Sequence, residues 1–460
     1  MQLKFTIEDL FDMPTSEIFN PDSYRAAVSV TIDSRRVKKN SIFVAIKGEI
    51  FDGHKFVKEA VKSGAGAVVI NKRKLKEFDS LNVPIITVAN TVEAFGYLAN
   101  LWRKKLGIKV ISITGSSGKT SVKEMLYQLL SAKYSVCKTE ANNNNHLGVP
   151  LTILSANKNN DMLLLEHGTN HFGEIEYTAK IAEPDYALIT NIGSSHIEYL
   201  KNKNGVLKEK KSLLDETDGN GGKVFLNIDD KMLARITGKY KNEIKFGFND
   251  EADVKGKILS FDKYGYPRVE VTGKRKKLEV TLPLLGEASA KNFIAASAAA
   301  FSLSITKQQI INAVKKLKPF DKRLNVKRYK NYTLIDDTYN SNPDSLKSSI
   351  EAVSEISDRG RKILILGDMF ELGENAIALH EGISKSINKK NIDAVYTIGK
   401  NMKNLNVRLD VKKITNRHFR TRKSLGAFLK TMQLNDSAVL VKGSRGMKME
   451  KFVKILAGKK

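Results

Sequence analysis

The sequence predicts an α/β protein of three domains: a small N-terminal unit, a central domain on a parallel sheet, and a doubly wound C-terminal domain. Three observations lead there. Short β-branched runs alternate with amphipathic helical segments along the 460 residues. Most of those runs end in polar clusters, as the strands of open parallel sheets do where ligands bind. Composition shifts near Val88 and at Lys318-Pro319-Phe320 divide the chain into 1–88, 89–318 and 319–460, close to the roughly 100–200 residues expected of a domain.

The first part holds an apolar run at 41–46, a helical period at 55–63 and short strands at 67–70 and 84–88. Two clusters interrupt it, Asp33-Ser34-Arg35 and Phe51-Asp52-Gly53-His54. Local chemistry alone makes the first a loop and the second a turn, with ligand contact as the alternative. Over 91–105, Val92, Phe95, Leu98, Ala99 and Trp102 share one face, which predicts a helix opening the central domain.

That helix leads into the stretch around which the chain is organised. Residues 110–114 form a β-branched strand, and Val122, Met125, Leu126, Leu129 and Leu130 recur at helical spacing. Between them lie Gly115, Ser116, Ser117, Gly118, Lys119 and Thr120. Glycines permit the dihedrals that aim backbone N–H groups and a helix N-terminus at an anion, so this is a candidate nucleotide phosphate loop, P-loop ATPase-like. Lys119 would reach the β- and γ-phosphates and the Thr120 hydroxyl would ligate magnesium. Only two residues separate the glycines, where four are usual.

Beyond the loop, the polar run 140–150, with Asn142 to Asn145 and Gly148-Val149-Pro150, reads as a loop. Strand 162–165 ends in Glu166-His167-Gly168-Thr169-Asn170, and strand 186–190 in Asn191-Ile192-Gly193-Ser194-Ser195-His196. Glu166 and His196 are candidates to share magnesium with phosphate oxygens, because that ion takes few protein ligands and keeps water. A structural role is the alternative for a lone histidine. The run Lys208-Glu209-Lys210-Lys211 reads as a solvated helical face. Residues 254–282 alternate as an antiparallel addition to the sheet, and 288–301 is an alanine-rich buried helix.

After 320, strands at 333–335, 363–366, 394–398 and 438–441 alternate with helices, which makes the last domain Rossmann-like. Their ends carry Asp336 to Pro343, Gly367-Asp368-Met369, and Lys442-Gly443-Ser444-Arg445-Gly446.

Composition bounds the function. The formal charge is +27, from 77 basic against 50 acidic side chains, a field that attracts polyanions. Nucleic acid is one such partner, but the lysines are spread along the chain without a basic tail, aromatic interleaving or zinc-finger spacing. A single cysteine, Cys137, excludes internal disulfides and suits a reducing cytoplasm. The first residues carry Glu8, Asp9 and Asp12 rather than a secretory pattern, and no apolar run is long enough to span a bilayer.

In their shared order, Asp33-Ser34-Arg35, Phe51-Asp52-Gly53-His54, the phosphate loop, Asn144-Asn145 with Gly148-Val149-Pro150, Gly168 to Ile175 and the C-terminal clusters resemble the Mur ligases of bacterial cell-wall synthesis. The resemblance spans nearly the whole chain. It implies an ATP- and magnesium-dependent ligase that phosphorylates a peptide carboxylate and lets an amine attack the acyl phosphate. Within the family, Asn340 to Ser345 and Lys442 to Glu450 resemble the branch that joins D-alanyl-D-alanine to UDP-N-acetylmuramoyl-tripeptide. The sibling that adds the third residue, with its His-Thr-Pro-Asp and Asp-Asn-Pro-Arg motifs, and folylpolyglutamate synthase are the alternatives. A nucleotide-dependent nucleic-acid-binding protein is the alternative from another class.

The resemblance also implies residue roles. ATP would meet Gly115, Ser116, Ser117, Gly118, Lys119, Thr120 and Ser121, with Asn292 against adenine and Arg323 and Asp337 from the third domain. Thr120, Glu166, His196 and Lys210 would serve metal, Lys210 after carbamylation by carbon dioxide. Lys119, Lys210 and His196 would be the catalytic group. Ser34 and Arg35 would lie near the uridine nucleotide, and Asn144, Asn145, Asn340 and Asn342 near the other substrate parts. A cytoplasmic monomer is implied. Ala288 and Ser289, His167, and Ser212 depart from the family pattern where histidine and asparagine, methionine, and an acidic residue are common.

Overall fold

The computed structural model describes residues 4–273 and 276–458. It contains three sheet-containing α/β domains, N-terminal, central and C-terminal, as the sequence predicts. The packing divides into two compact units.

The first unit comprises residues up to Ser112, Tyr134–Gly168 and Gly173–Asp185. Its N-terminal sheet is built from β1 (Glu17–Phe19), β2 (Val30–Thr31), β3 (Ser41–Val44), β4 (Ala65–Asn71) and β5 (Ile85–Val88), in the order β1-β5-β4-β3-β2. Only β1 runs antiparallel. β3 and β5 are buried along their whole length, which is why they read as unbroken apolar runs. Helix Thr91–Leu106 begins on the Asn90 side chain, which accepts from Val92 and Glu93, and ends at Gly107 with φ +62°. Its Phe95, Leu98 and Trp102 join Phe5, Ile42, Val69 and Ile86 in one core, while Ala99 packs with Val110, Ile153 and Leu163 in another. Trp102 stacks on Phe5 at 5.1 Å and donates to Ala156 O at 2.9 Å. The same unit holds β6 (Lys109–Thr114) as far as Ser112, and β7 (Val136–Lys138) and β8 (Met162–Glu166), ordered β6-β8-β7.

The second unit contains β9 (Tyr186–Ile189), β10 (Lys223–Asn227), β11 (Glu243–Gly247), β12 (Val254–Phe261), β13 (Pro267–Gly273) and β14 (Lys276–Thr281). β9 to β12 pair in parallel and β12 to β14 antiparallel. Residues 274 and 275 of the expected antiparallel stretch lie outside the described residues. Helix Gly286–Ser302 is buried along most of its length, which its alanines allow because small side chains let neighbours approach.

The C-terminal sheet joins β15 (Asn325–Arg328), β16 (Tyr332–Asp337), β17 (Arg361–Gly367), β18 (Ala394–Ile398), β19 (Thr415–Phe419) and β20 (Ser437–Lys442), ordered β15-β16-β20-β17-β18-β19. All but β15 are parallel, and an apolar cluster covers each face. The two strands absent from the sequence reading, β15 and β19, are its edges. Their sequences, Asn-Val-Lys-Arg and Thr-Asn-Arg-His-Phe, carry the charges with which edge strands resist further pairing.

Two expectations are corrected. The polar run 140–150 is not loop throughout: Gly148–Ser155 is a helix, started by Asn145 Oδ1, which accepts from Leu147 N at 3.2 Å and Gly148 N at 2.8 Å. Pro150 sits in its first turn, where an N–H is not needed. Nor is 208–211 a solvated face, because within helix Lys203–Gly219 Glu209 is 3% and Lys210 1% exposed. Among the described residues no helix is long and apolar enough to cross a membrane.

Because Phe95 is fully buried, Phe95→Ala should cost about 3–5 kcal/mol, the range for deleting a large core side chain. The chain has one tryptophan, Trp102, in the same core, so its fluorescence during urea unfolding reads the loss directly. A change under about 1 kcal/mol would contradict the packing described.

Candidate active site

The phosphate loop is tight because nothing but glycine fits its corners. Gly115 has φ +149°, and a Cβ added there would lie 1.8 Å from Thr190 Oγ1; at Gly118, φ +79°, it would lie 2.5 Å from Asn292 Oδ1. A side chain at either place meets both backbone strain and a neighbour. The loop is then tied to the segment after β9. Ser116 N donates to Asn191 O at 3.0 Å, Ser117 N to Asn191 Oδ1 at 3.0 Å, Gly193 N to Ser116 Oγ at 2.8 Å, and Thr190 Oγ1 to Ser117 O at 2.6 Å. Helix Lys119–Leu130 starts directly from it, with Ser121 in the first turn. Lys119 Nζ donates to Gly115 O at 2.8 Å.

Three cations gather at this loop. Lys119 belongs to it. Arg323 of the C-terminal domain donates from Nη2 to Thr120 Oγ1 at 2.9 Å, its guanidinium lying 3.9 Å from the centroid of the Tyr339 ring. Lys210 is buried, and burial followed by the charge of Lys119 pushes its ammonium well below the ordinary lysine range, with Glu209 opposing the shift. Cluster 340–345 also reaches the loop. Asn342 Nδ2 donates to Ser116 O at 3.4 Å, and Asp344 Oδ2 accepts from Ser194 N at 2.8 Å. Asn342 caps helix Pro343–Ser354 as well. Sequence reading missed Thr190, Asn191 and Asp344. Asn191 and Asp344 sit in clusters it had marked and Thr190 ends the strand before one, but each has its partner distant in sequence.

His196 has φ +53°, and its Nδ1 lies 2.7 Å from Glu371 Oε2. The ring beside it holds the Glu371 carboxyl below the usual carboxylate range.

Glu166, Asn144 and Asn145 belong to the first compact unit. Glu166 is 2% exposed; its Oε1 accepts from Asn144 Nδ2 at 3.0 Å and its N–H donates to Thr139 Oγ1 at 3.0 Å. Beside it His167 spans Thr178 Oγ1 and Ser112 Oγ, both at 2.8 Å, and burial pulls it down to about 3, so it is a neutral linker. Asn145 Oδ1 accepts from Leu147 N and Gly148 N ahead of the 148–155 helix.

Other marked residues are engaged in structural bonds. Asp337 Oδ2 meets buried Lys442 Nζ at 2.6 Å and accepts from Ser349 Oγ at 2.6 Å, while its Oδ1 accepts from Leu324 N at 3.2 Å. Asn340 accepts at O from Lys442 Nζ at 3.0 Å and at Oδ1 from Arg445 N at 3.4 Å. Asp368 accepts from Met402 N at 2.7 Å at the start of helix Met402–Val411. Ser34 opens a 3-10 turn capped by Asp33, to which exposed Arg35 binds through two nitrogens at 2.9 Å. In 51–54, Asp52 caps the next turn and His54 accepts from Asn71 N at 3.0 Å.

Three family profiles match the chain: "Mur ligase family, catalytic domain" at 27–103, "Mur ligase middle domain" at 113–300 and "Mur ligase, glutamate ligase domain" at 322–445. A UDP-N-acetylmuramoyl-tripeptide--D-alanyl-D-alanine ligase from Bacillus subtilis (strain 168) is 32% identical over 99% of this chain and 98% of its own. A crystal structure of MurF from Acinetobacter baumannii superposes with TM-score 0.90 at 28% identity, covering 100% of both chains. MurF ligase from Thermotoga maritima in complex with ADP gives 0.83 at 29% identity, over 95% of this chain and 98% of that one. With matches along its whole length to the family's three parts, and a phosphate loop built as described, the chain belongs to the Mur ligase family.

Proposed function

We propose that the chain joins D-alanyl-D-alanine to UDP-N-acetylmuramoyl-tripeptide with conversion of ATP to ADP and phosphate, completing the UDP-N-acetylmuramoyl-pentapeptide precursor of peptidoglycan in the cytoplasm. The observation that carries this is the convergence of Lys119 and Arg323 on one glycine loop, with buried Lys210 close enough to feel the charge of Lys119, a cationic cradle for a polyphosphate. The choice of branch follows the full-length relatives that bear this activity in their names.

In the reaction the peptide carboxylate oxygen attacks the γ-phosphorus and the bond to the β,γ-bridging oxygen breaks, its electron pair leaving with ADP. The dipeptide amine then attacks the acyl carbon, loses a proton, and phosphate departs. Negative charge grows on the transferred phosphoryl group and then on the acyl oxygen, so fixed positive groups lower both barriers. Lys119 and the start of its helix face the phosphates, and Arg323 moves from the Thr120 hydroxyl to the nucleotide. Residues 1–88 hold the uridine nucleotide beside Ser34 and Arg35, 89–318 bind ATP with Asn292 toward adenine, and 319–460 complete the site.

Magnesium would neutralise phosphate oxygens. The Thr120 hydroxyl is a hard oxygen donor of the kind that ion prefers, and we assign it to the ion with His196 and a carbamate on Lys210, the family resemblance alone adding Glu166. Carbamylation forms an N–C bond from the neutral amine to carbon dioxide, with loss of one N–H proton. Burial and Lys119 favour that neutral form, and the product supplies the anionic oxygen that an ammonium lacks.

Given ATP, magnesium and UDP-N-acetylmuramoyl-tripeptide, the enzyme should release phosphate on addition of D-alanyl-D-alanine. Release with lysine or diaminopimelate and none with the dipeptide would overturn the branch.

Lys119→Ala should fold normally and lose roughly 3 kcal/mol or more of transition-state stabilisation, read as kcat/KM. Near-normal turnover would remove the loop from the reaction.

Lys210→Ala should lose activity that a short carboxylic acid partly restores. Lys208→Ala and Lys211→Ala should stay near normal, Lys211 being spent on an exposed pair with Asp215. An active Lys210→Ala, or rescue of Lys211→Ala instead, would show the assignment to be wrong.

A further inference from the structure

In the second compact unit two loops meet through residues that hold the left-handed backbone region without being glycine. His196, φ +53°, lies after β9 in the central domain, and Glu371, φ +61°, after β17 in the C-terminal domain. Such conformations persist where the surroundings over-determine them. Here the Glu371 carboxylate lies 2.7 Å from His196 Nδ1, its carbonyl accepts from Glu198 N at 3.4 Å, and Gly373 packs against the Glu198 backbone. The Nδ1 to Oε2 approach is not aligned as a hydrogen bond, so the packing of the two loops holds the pair together.

The Glu371 loop is itself anchored in its own domain. Phe370 N donates to Ser444 Oγ at 2.8 Å, Met369 N to His380 Nε2 at 3.0 Å, and Leu372 is buried. The rigid side of the contact is therefore the C-terminal domain. The His196 side is a short segment, the one-turn helix Ile197–Leu200 between His196 and Lys201, and Lys201 also has positive φ, 69°.

We propose that Glu371 is a positioning residue for the ligation: carried by the C-terminal domain, it holds the 195–200 loop in its working conformation, so that His196 is placed only when that domain is seated. This rests on the reading of His196 as an active-site group.

The test uses the full chain with Glu371→Ala and, to keep shape without charge, Glu371→Gln. In ligand-free protein, amides of 195–200 should exchange about tenfold faster in both variants, while those of β16, β17 and β20 stay as in the parent. kcat should fall about tenfold, with KM for ATP changed less than about threefold. In a His196→Ala background, Glu371→Ala should add less than about a twofold loss, because the pair acts as a unit. Unchanged exchange at 195–200 in both variants, or the full loss repeated without His196, would overturn the role of Glu371 alone. Full turnover by His196→Ala would instead overturn the reading of His196, and the reaction role of Glu371 with it.

Discussion

A turn without room for side chains governs the layout of this molecule. Gly115 and Gly118 let the backbone fold so closely on Thr190 and Asn292 that a Cβ at either point would collide. The closeness lets Asn191, through its carbonyl and its amide, hold Ser116 and Ser117. Four residues between the glycines are the usual allowance, and here two suffice because the neighbouring strand end supplies the bonds a longer loop makes to itself. The same segment carries Ser194, which donates to Asp344 of the third domain. One close approach thus fixes the loop, the strand end beside it and a contact 150 residues away in sequence.

What the turn organises is an excess of positive charge. Lys442 shows how this fold treats a buried lysine that serves structure alone, since it meets Asp337 at 2.6 Å and the Asn340 carbonyl at 3.0 Å. Lys210 is buried as deeply, but Lys119 raises the cost of its charge and Glu209 offsets that cost only in part. A protein gains nothing in stability from lysines placed so. The arrangement makes sense for a site that receives a polyanion, where the repulsion between Lys119 and Lys210 turns into attraction for the incoming phosphates.

In the C-terminal sheet the sequence showed the buried strands, since β17 and β20 carry continuous apolar runs, and it was silent at β15 and β19, whose edge positions call for charge; in the central domain it also missed β10, whose apolar run Val224-Phe225-Leu226 is only three residues long. It also carried a signal that the charge-run reading overrode. Val206, Lys210, Leu213, Leu214 and Thr217 follow one helical stripe, and all are buried. Periodicity alone put Lys210 inward; reading it by residue type put it in water. For the site, position at a strand end marked Glu166, His196 and the 340–345 cluster, but pairings such as Arg323 with Thr120 depend on how two sheets pack. Local pattern does not encode that.

The polar ends of these sheets therefore divide by what they touch. Asp368 and Asp52 satisfy the N–H groups of their own domains, as does Asp33, and His54 and His380 accept backbone N–H bonds. Such bonds close turns and helix starts, and their residue types match those of a catalytic cluster. What the C-terminal domain brings to the phosphate loop itself is different: the Arg323 guanidinium and the Asn342 amide. Asp344 is directed at the Ser194 N–H and Asp337 at Lys442. A domain that approached a nucleotide with uncompensated acids would weaken the field that Lys119 and Lys210 create. With Asp337 paired to Lys442, Arg323 adds to that field, in keeping with charge developing on a transferred phosphoryl group.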